Sequence, residues 1–187
     1  MSNPADKAKH RETLVEQYSH NLEEHGLLHL ERVVVVSIDE NSAQYVINWA
    51  VNNFIRPDKD LVVLVHVRVL DTPLQPYVYA TGFVEEMAEE RKAKSHELLK
   101  TYASQLWEKQ IACKAISMIG EAKDEIIRKV NEIKADVLIM GSRKMGAIKR
   151  RFLGSVSDHC AHHAPCTVII AKPRDMPKQE KRRSIFG

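Results

Sequence analysis

The chain has 187 residues, of which 44% are hydrophobic and 28% charged, and a formal net charge of +3 at pH 7. This length and composition predict one globular domain with tails and a substantial buried core. No apolar run is long enough to span a bilayer, and the polar N-terminus lacks the apolar centre of a secretory signal. We therefore expect a cytoplasmic or nucleocytoplasmic protein without a membrane partner.

The positive charge is concentrated in two places. The segment Gly141–Ser157 contains five Lys/Arg and no acidic residue, and the tail from Lys172 onward contains six Lys/Arg and two acidic residues. The rest of the chain is therefore net acidic. Because no extended basic surface is indicated, we expect no nucleic-acid partner.

The cysteines indicate a reducing compartment. Cys113, Cys160 and Cys166 form no C-x-x-C pair, and three thiols cannot all pair with one another. This distribution agrees with the location expected from the N-terminus.

The first 27 residues form an N-terminal extension. Leu14, Tyr18 and Leu22 recur every four residues and are followed by Gly26, a spacing that predicts one short amphipathic helix. The domain proper is expected over residues 28–173, and residues 174–187 are expected to form a basic, flexible C-terminal tail.

Within the domain, five segments are rich in β-branched and other apolar residues, as in strands of a parallel sheet that is covered on both faces. They are Arg32–Ile38, Leu61–Val67, Ala112–Ile119, Val137–Met140 and Thr167–Ala171.

Four segments with helical periodicity lie between these strands. They are Ser42–Phe54, Phe83–Trp107, Ala122–Ile133 and Ser155–His163. Regular strand–helix alternation predicts right-handed βαβ crossovers and an α/β, doubly wound open sheet with helices on both faces.

Ligands of such sheets bind beyond the carboxyl ends of the strands, where the strand order reverses. Asp39 follows the first of these strands, Val67 ends the second and Gly141 follows the fourth. Asp39 is placed either to accept hydrogen bonds from a ribose hydroxyl or an adenine amine, or to cap the helix near Ser42. Val67 is expected in the core, with its backbone available to a base edge.

The segment Gly141–Ser157 has the features of a phosphate-binding loop. Glycines leave room for an anion, and the backbone N–H groups of a helix N-terminus attract negative charge. Ser155 is predicted as the N-cap of the last helix, in a box-like arrangement with Asp158. The amides and hydroxyls of residues 155–157 would then face the phosphates, with Arg143 and Lys144 reaching the β- or γ-phosphate.

Three stretches resemble the universal stress protein family: Val137–Arg143, Leu153–Ser157 and Ala164–Ile170. The opening strand that ends at Asp39 and the Val65-His66-Val67 ending also match it. The resemblance covers roughly residues 32–173. It implies a five-stranded parallel sheet in the order 3-2-1-4-5 and frequent homodimers joined through the last strand, Cys166–Ala171.

In one branch of the family, the resemblance also implies ATP binding through G-x2-G-x9-G-[S/T]. Gly141 matches the first glycine and Gly154-Ser155 the closing pair, whereas Lys144 occupies the position of the middle glycine. Further matching positions are those on the adenosine side and those that flank the motif: Asp39, Val67, Met140, Val156 and Ser157.

Other nucleotide-binding and signalling patterns are absent from the sequence. Gly146 is followed by Ala147-Ile148, which excludes a Walker-type P-loop, and no G-x-G-x-x-G follows the first strand. A phosphoacceptor receiver domain would need an aspartate after the third strand, where the sequence reads Met118-Ile119-Gly120.

The run from His159 to Cys166 contains three histidines and two cysteines, with His159 and His163 four residues apart. Four zinc ligands would require Cys160 or Cys166 on the same helix face, so packing is the preferred interpretation and no metal site is predicted. No nucleophile–base set is visible either, so we expect no dedicated enzyme and at most slow ATP hydrolysis.

Two functional hypotheses follow from the sequence. The first is a regulatory stress-response module that binds ATP, or AMP or ADP, with Mg²⁺ accompanying the nucleotide. The second is a nucleotide-independent dimeric interaction or chaperone-like module in which Lys144 fills the pocket.

Overall fold

The computed structural model describes residues 12–18, 30–69, 83–142 and 153–173. These residues form six strands and four helices. The strands are β1 (Glu12–Tyr18), β2 (Arg32–Ser37), β3 (Asp60–Arg68), β4 (Cys113–Ile119), β5 (Val137–Gly141) and β6 (Thr167–Ala171). The helices are α1 (Ala43–Asn53), α2 (Phe83–Glu108), α3 (Ala122–Glu132) and α4 (Ser155–His163).

The strands form one sheet in the order β1-β4-β3-β2-β5-β6. β2 to β6 are parallel, so the predicted α/β doubly wound sheet and its order are confirmed for the five expected strands. β1 is a sixth strand, which pairs antiparallel with β4 at the edge.

Two apolar cores lie on the two faces of the sheet, as the apolar strands require. Val34 and Val36 of β2 point into the first core, which α1 and α2 cover. Val35, between them, points into the second core, which α3 and α4 cover. Adjacent residues of a strand face opposite sides of the sheet. All three valines are fully buried because helices cover both faces. Two of the thiols are buried in the same cores, Cys113 in the first and Cys160 in the second.

The expectation of a short helix within residues 1–27 is wrong for Glu12–Tyr18, which is strand β1. The four-residue spacing of Leu14 and Tyr18 is also compatible with a strand that contains a bulge, and the register shifts between Leu14 and Glu16. Leu14 is 55% exposed, so it does not contribute to the apolar face that the helical interpretation requires. Val15 packs against the first core, and Tyr18 stacks on Trp107 of α2 with ring centroids 5.4 Å apart.

β1 is also held by charge. Both carboxylate oxygens of Glu12 contact Nζ of Lys129, at 2.8 and 2.7 Å, and Oε2 lies 3.0 Å from Arg128. The side chain of Lys129 is only 2% exposed, so its ammonium group depends on Glu12 and Glu132 for compensation. The first residue of β1 therefore neutralises a buried cation of α3.

No helix among the described residues is long and apolar enough to cross a membrane.

Candidate functional site

A cleft opens where β2, β3 and β5 end, at the point where the chain winds to opposite sides of β2. It encloses about 540 Å³, including space open to solvent. Seven residues that the sequence singled out line it: Asp39, Val67, Met140, Gly141, Gly154, Val156 and Ser157.

The other three predicted residues do not appear on its wall. Ser155 is the first residue of α4, beside the cleft, and its side chain is exposed. Arg143 and Lys144 lie outside the described residues. Other lining residues that the sequence did not identify include Ser37, Ser42, His66 and Ala122.

Asp39 fixes the turn before α1 but does not cap the helix as one of its two interpretations expected, because Ser42 is the N-cap and no side chain caps α1. Oδ1 accepts hydrogen bonds from the backbone N–H groups of Asn41 at 2.8 Å and Ser42 at 2.9 Å, which fixes the turn into α1. Oδ2 has no recorded partner among the described residues, and the residue lines the cleft. One carboxylate oxygen is therefore used by the fold while the other is available to a ligand.

Val67 presents its backbone to the cleft. β2 ends at Ser37, and the last contact across this edge is the bond from the N–H of Ile38 to the carbonyl of Val65, at 3.0 Å. Backbone groups of alternate strand residues point the same way, so the N–H and C=O of Val67 face the side where β2 has already ended. They form a donor–acceptor pair of the kind that a nucleobase edge can use.

The start of α4 differs from the prediction. Gly154, not Ser155, is the N-cap, with φ −66° and ψ 154°, and no side chain caps the helix. The predicted box with Asp158 is therefore wrong. Instead, Oγ of the buried Ser157 donates to the carbonyl of Gly154 at 2.9 Å, and the N–H of Asp158 bonds to the same carbonyl.

This arrangement leaves the first N–H groups of α4 available. Geometry gives the amides of residues 155–157 no partner within the helix, and none is recorded elsewhere among the described residues. Such groups, at the positive end of a helix dipole, favour an anion.

Gly141 is required by packing as well as by its place at the cleft. A Cβ atom at this position would lie 2.5 Å from Oη of Tyr45, 2.7 Å from Cβ of Ser42 and 3.0 Å from Cγ2 of Val46. Tyr45 in turn donates from Oη to the carbonyl of Ser142 at 2.6 Å, and burial, aided by the charge of Asp39, raises the pKa of its phenol to about 12. The phenol is therefore a permanent donor that holds the end of β5 against α1.

A second cavity, of about 770 Å³, adjoins the first and shares His66 and Val67 with it. Arg68, Arg91 and Lys94 line it together with the acidic Glu40. His66 thus lies between the ligand cleft and a predominantly basic chamber. Sequence reasoning named this histidine only as part of a strand ending.

The two histidines that are four residues apart on α4 stack on each other, with His163 exposed and His159 partly buried. The rings of His159 and His163 lie 4.1 Å apart, whereas Cys160 is fully buried in the second core. No group of three or more potential metal ligands was found within the part of the chain that the structure describes.

Comparison with known proteins identifies the family of this chain. The family model described as the universal stress protein family matches residues 30–172. The chain belongs to this family. A curated universal stress protein A-like protein from Arabidopsis thaliana is 28% identical over 137 residues, covering 70% of this chain and 78% of that protein. A universal stress protein from Synechocystis is 28% identical over 148 residues, covering 74% and 96%.

Solved structures agree with this assignment at the level of the fold. A universal stress protein family protein from Arabidopsis thaliana, crystallised with AMP bound, matches with a TM-score of 0.59 and 23% identity. The match covers 79% of this universal stress protein and 97% of the Arabidopsis chain. The likeness therefore concerns the overall α/β fold.

Proposed function

We propose that this universal stress protein binds an adenine nucleotide in the cleft and acts as a regulatory module in a stress response. The observation that carries the proposal is the convergence, in one cleft, of the Val67 backbone pair, a carboxylate oxygen of Asp39 and the first amides of α4. The first two suit a nucleoside and the third suits a phosphate. A structurally similar family member was crystallised with AMP, which supports the same ligand class.

ATP is the proposed ligand, with AMP or ADP as alternatives and Mg²⁺ accompanying a triphosphate. Arg143 and Lys144 would approach the outer phosphates. The Lys144→Gly variant tests this part: weaker ATP binding with unchanged AMP binding would support a phosphate-neutralising lysine. Tighter binding of both nucleotides would show that the lysine obstructs the cleft.

The direct test is to denature the purified protein, identify any released nucleotide by chromatography, and titrate AMP and ATP by calorimetry. We expect binding below millimolar concentration. Neither carried nucleotide nor binding at millimolar ATP would contradict the proposal and favour the nucleotide-independent dimeric module.

Ser155→Asp is a sharper probe of the phosphate site. A carboxylate in the first turn of α4 stabilises the helix by about 0.3–1 kcal/mol, yet it repels a phosphate at the same amides. We expect at least tenfold weaker AMP binding than in the neutral, similarly sized Ser155→Asn control, with no loss of thermal stability. Adenosine, which has no phosphate, should bind both variants with the same affinity. If Ser155→Asp weakened adenosine binding as much as AMP binding, the assignment of the phosphate end would be contradicted.

We also propose a homodimer joined through β6, and a cytoplasmic location. β6 lies at the edge of the sheet, and Val168, Ile169 and Ile170 are each only partly buried within the single chain. Apolar edge strands favour pairing with a second copy. Light scattering at tens of micromolar should give twice the chain mass of 21.4 kDa, and a monomer at that concentration would contradict this assembly.

A further inference from the structure

A chain of hydrogen bonds runs from the core to the ligand cleft. Oγ of Ser117, on β4, lies 2.8 Å from Oγ of Ser95, on α2, which lies 2.8 Å from Nδ1 of His66, on β3. Both serines are 1% exposed, so solvent does not supply alternative partners. His66 is the end of the chain that reaches the cleft.

The number of available protons decides which group donates in each of these two hydrogen bonds. If Nδ1 of His66 carried the proton, it would donate to Ser95 and Ser95 would donate to Ser117. The hydroxyl proton of Ser117 would then need an acceptor, and none is recorded for it among the described residues. A buried donor without a partner is disfavoured strongly enough to be rare.

The opposite direction uses every proton. Ser117 donates to Ser95, Ser95 donates to Nδ1 of His66, and both hydroxyl protons are bonded. The neutral imidazole then carries its single proton on Nε2. Burial lowers the pKa of His66, against the opposing charges of Glu40 and Asp39, so the ring is neutral at neutral pH.

The position of His66 directs this donor to a ligand. It lines the cleft beside Val67, whose backbone pair suits a nucleobase, and together with its partner Ser95 it also lines the second cavity. Among the described residues, Nε2 has no recorded hydrogen-bond partner, whereas Nδ1 is occupied by Ser95.

We propose that the Ser117–Ser95 chain holds His66 in the Nε2–H tautomer, so that it donates a hydrogen bond to an acceptor atom on the nucleoside half of the ligand. A purine ring nitrogen or a ribose oxygen is the matching chemistry. The recognition role rests on the proposed nucleotide binding, whereas the tautomer can be measured without ligand.

The first experiment reads the tautomer. Two-bond ¹⁵N–¹H correlation spectra of the ligand-free, ¹⁵N-labelled protein at pH 7.5 distinguish the protonated nitrogen of each histidine, and the His66→Gln variant assigns the signal. We expect the Nε2–H pattern for His66. An Nδ1–H pattern would overturn the proposal, whatever the protein binds.

The second experiment compares two replacements of His66. The amide of Gln extends to the place of Nε2 and keeps a donor there, whereas the shorter Asn side chain reaches only the place of Nδ1. We expect His66→Asn to bind AMP about two- to tenfold more weakly than His66→Gln, the effect of one hydrogen bond. The exposed His162→Asn serves as a control and should bind like the unmodified protein.

The outcomes separate the two proposals. Equal AMP affinity of the Asn and Gln variants, in a protein that binds AMP, would overturn the role of His66 and leave the nucleotide function intact. Absence of AMP binding in the unmodified protein would overturn the recognition role together with the proposed function, and the tautomer would still be read from the ligand-free spectra. Analogues of AMP that lack N3, N7 or the 2′-hydroxyl identify the acceptor, because only the matching analogue should lose its preference for the Gln variant.

Discussion

Replacing Gly141 by alanine tests whether this glycine is required by packing in the ligand-free protein. The added Cβ would lie 2.5 Å from Oη of Tyr45 and 2.7 Å from Cβ of Ser42, both closer than real Cβ contacts. Ser42 cannot move aside easily, since it is 2% exposed and its N–H is bonded to Asp39. We expect a loss of about 1–3 kcal/mol in the free energy of unfolding, the usual effect of overpacking.

For a chain of this size, that loss lowers the melting temperature by about 2–4 °C per kcal/mol. Urea unfolding followed by circular dichroism measures it, and an unchanged m-value shows that the transition remains comparable. Gly141→Ala with the same denaturation midpoint as the unmodified protein would refute the packing argument and leave only a role in ligand binding.

A double-mutant cycle identifies the atom responsible. Tyr45→Phe alone loses the 2.6 Å bond to Ser142, at about 0.5–1.5 kcal/mol. Combined with Gly141→Ala it removes the closest clash, so the two losses should fall short of additivity by about 1 kcal/mol. The contact with Ser42 remains, so the rescue is partial. Additive losses would show that the phenol oxygen is not the obstacle.

Three further predictions concern charge and thiol burial. Glu12→Gln should lower the free energy of unfolding by about 1–3 kcal/mol. The loss is limited because the buried Lys129 still pairs with Glu132. Burial raises the pKa of Glu12, but hydrogen bonds from Lys129 and its neighbouring arginine hold it below the ordinary 4.5. The contribution of Glu12 to the free energy of unfolding is therefore present above pH 4.5 and is lost as the pH falls through the folded-state pKa. In urea titrations, Glu12→Gln should lack this loss of stability at acid pH. Asp60→Asn should cost about 2–4 kcal/mol by calorimetry, since Asp60 is fully buried in a two-pronged pair with Arg32, which itself reaches solvent; a change below about 0.5 kcal/mol would contradict this. Iodoacetamide at pH 8 should modify Cys166 first by mass spectrometry, because the other two thiols are buried with pKa values of about 12 and about 11.

The sequence predicted the parallel core because its strands are apolar on both faces, a pattern that few other elements share. β1 could not be predicted in the same way. Its alternation is broken by a bulge at Val15, and it forms because β4 offers an unpaired edge and α3 offers the buried Lys129 and the partly buried Arg128, which match Glu12. These contacts join residues about one hundred positions apart, which local periodicity cannot detect.

The candidate site also combines residues that local sequence patterns identify with residues whose importance depends on distant contacts. Residues that directly follow strands, such as Asp39 and Gly141, were identified because strand ends converge in this fold. Tyr45 and His66 were missed because their importance comes from partners on other elements, Ser142 and Ser95. The N-cap was assigned one residue too late, since a serine is the usual cap, whereas the backbone here enters α4 from Gly154.

The antiparallel pairing of Glu12–Tyr18 with β4 has a consequence for assembly geometry. Among the described strands, β1 replaces β4 at the edge of the sheet, and its bulge makes it a poorer template for a further strand than the regular, apolar β6 at the other edge. In a dimer with two-fold symmetry, the β6 strands of the two copies would pair with each other, so neither copy would keep an unpaired β6 edge. Sheet extension through β6 therefore stops at a pair, and the bulge in β1 disfavours continued growth from the opposite edge.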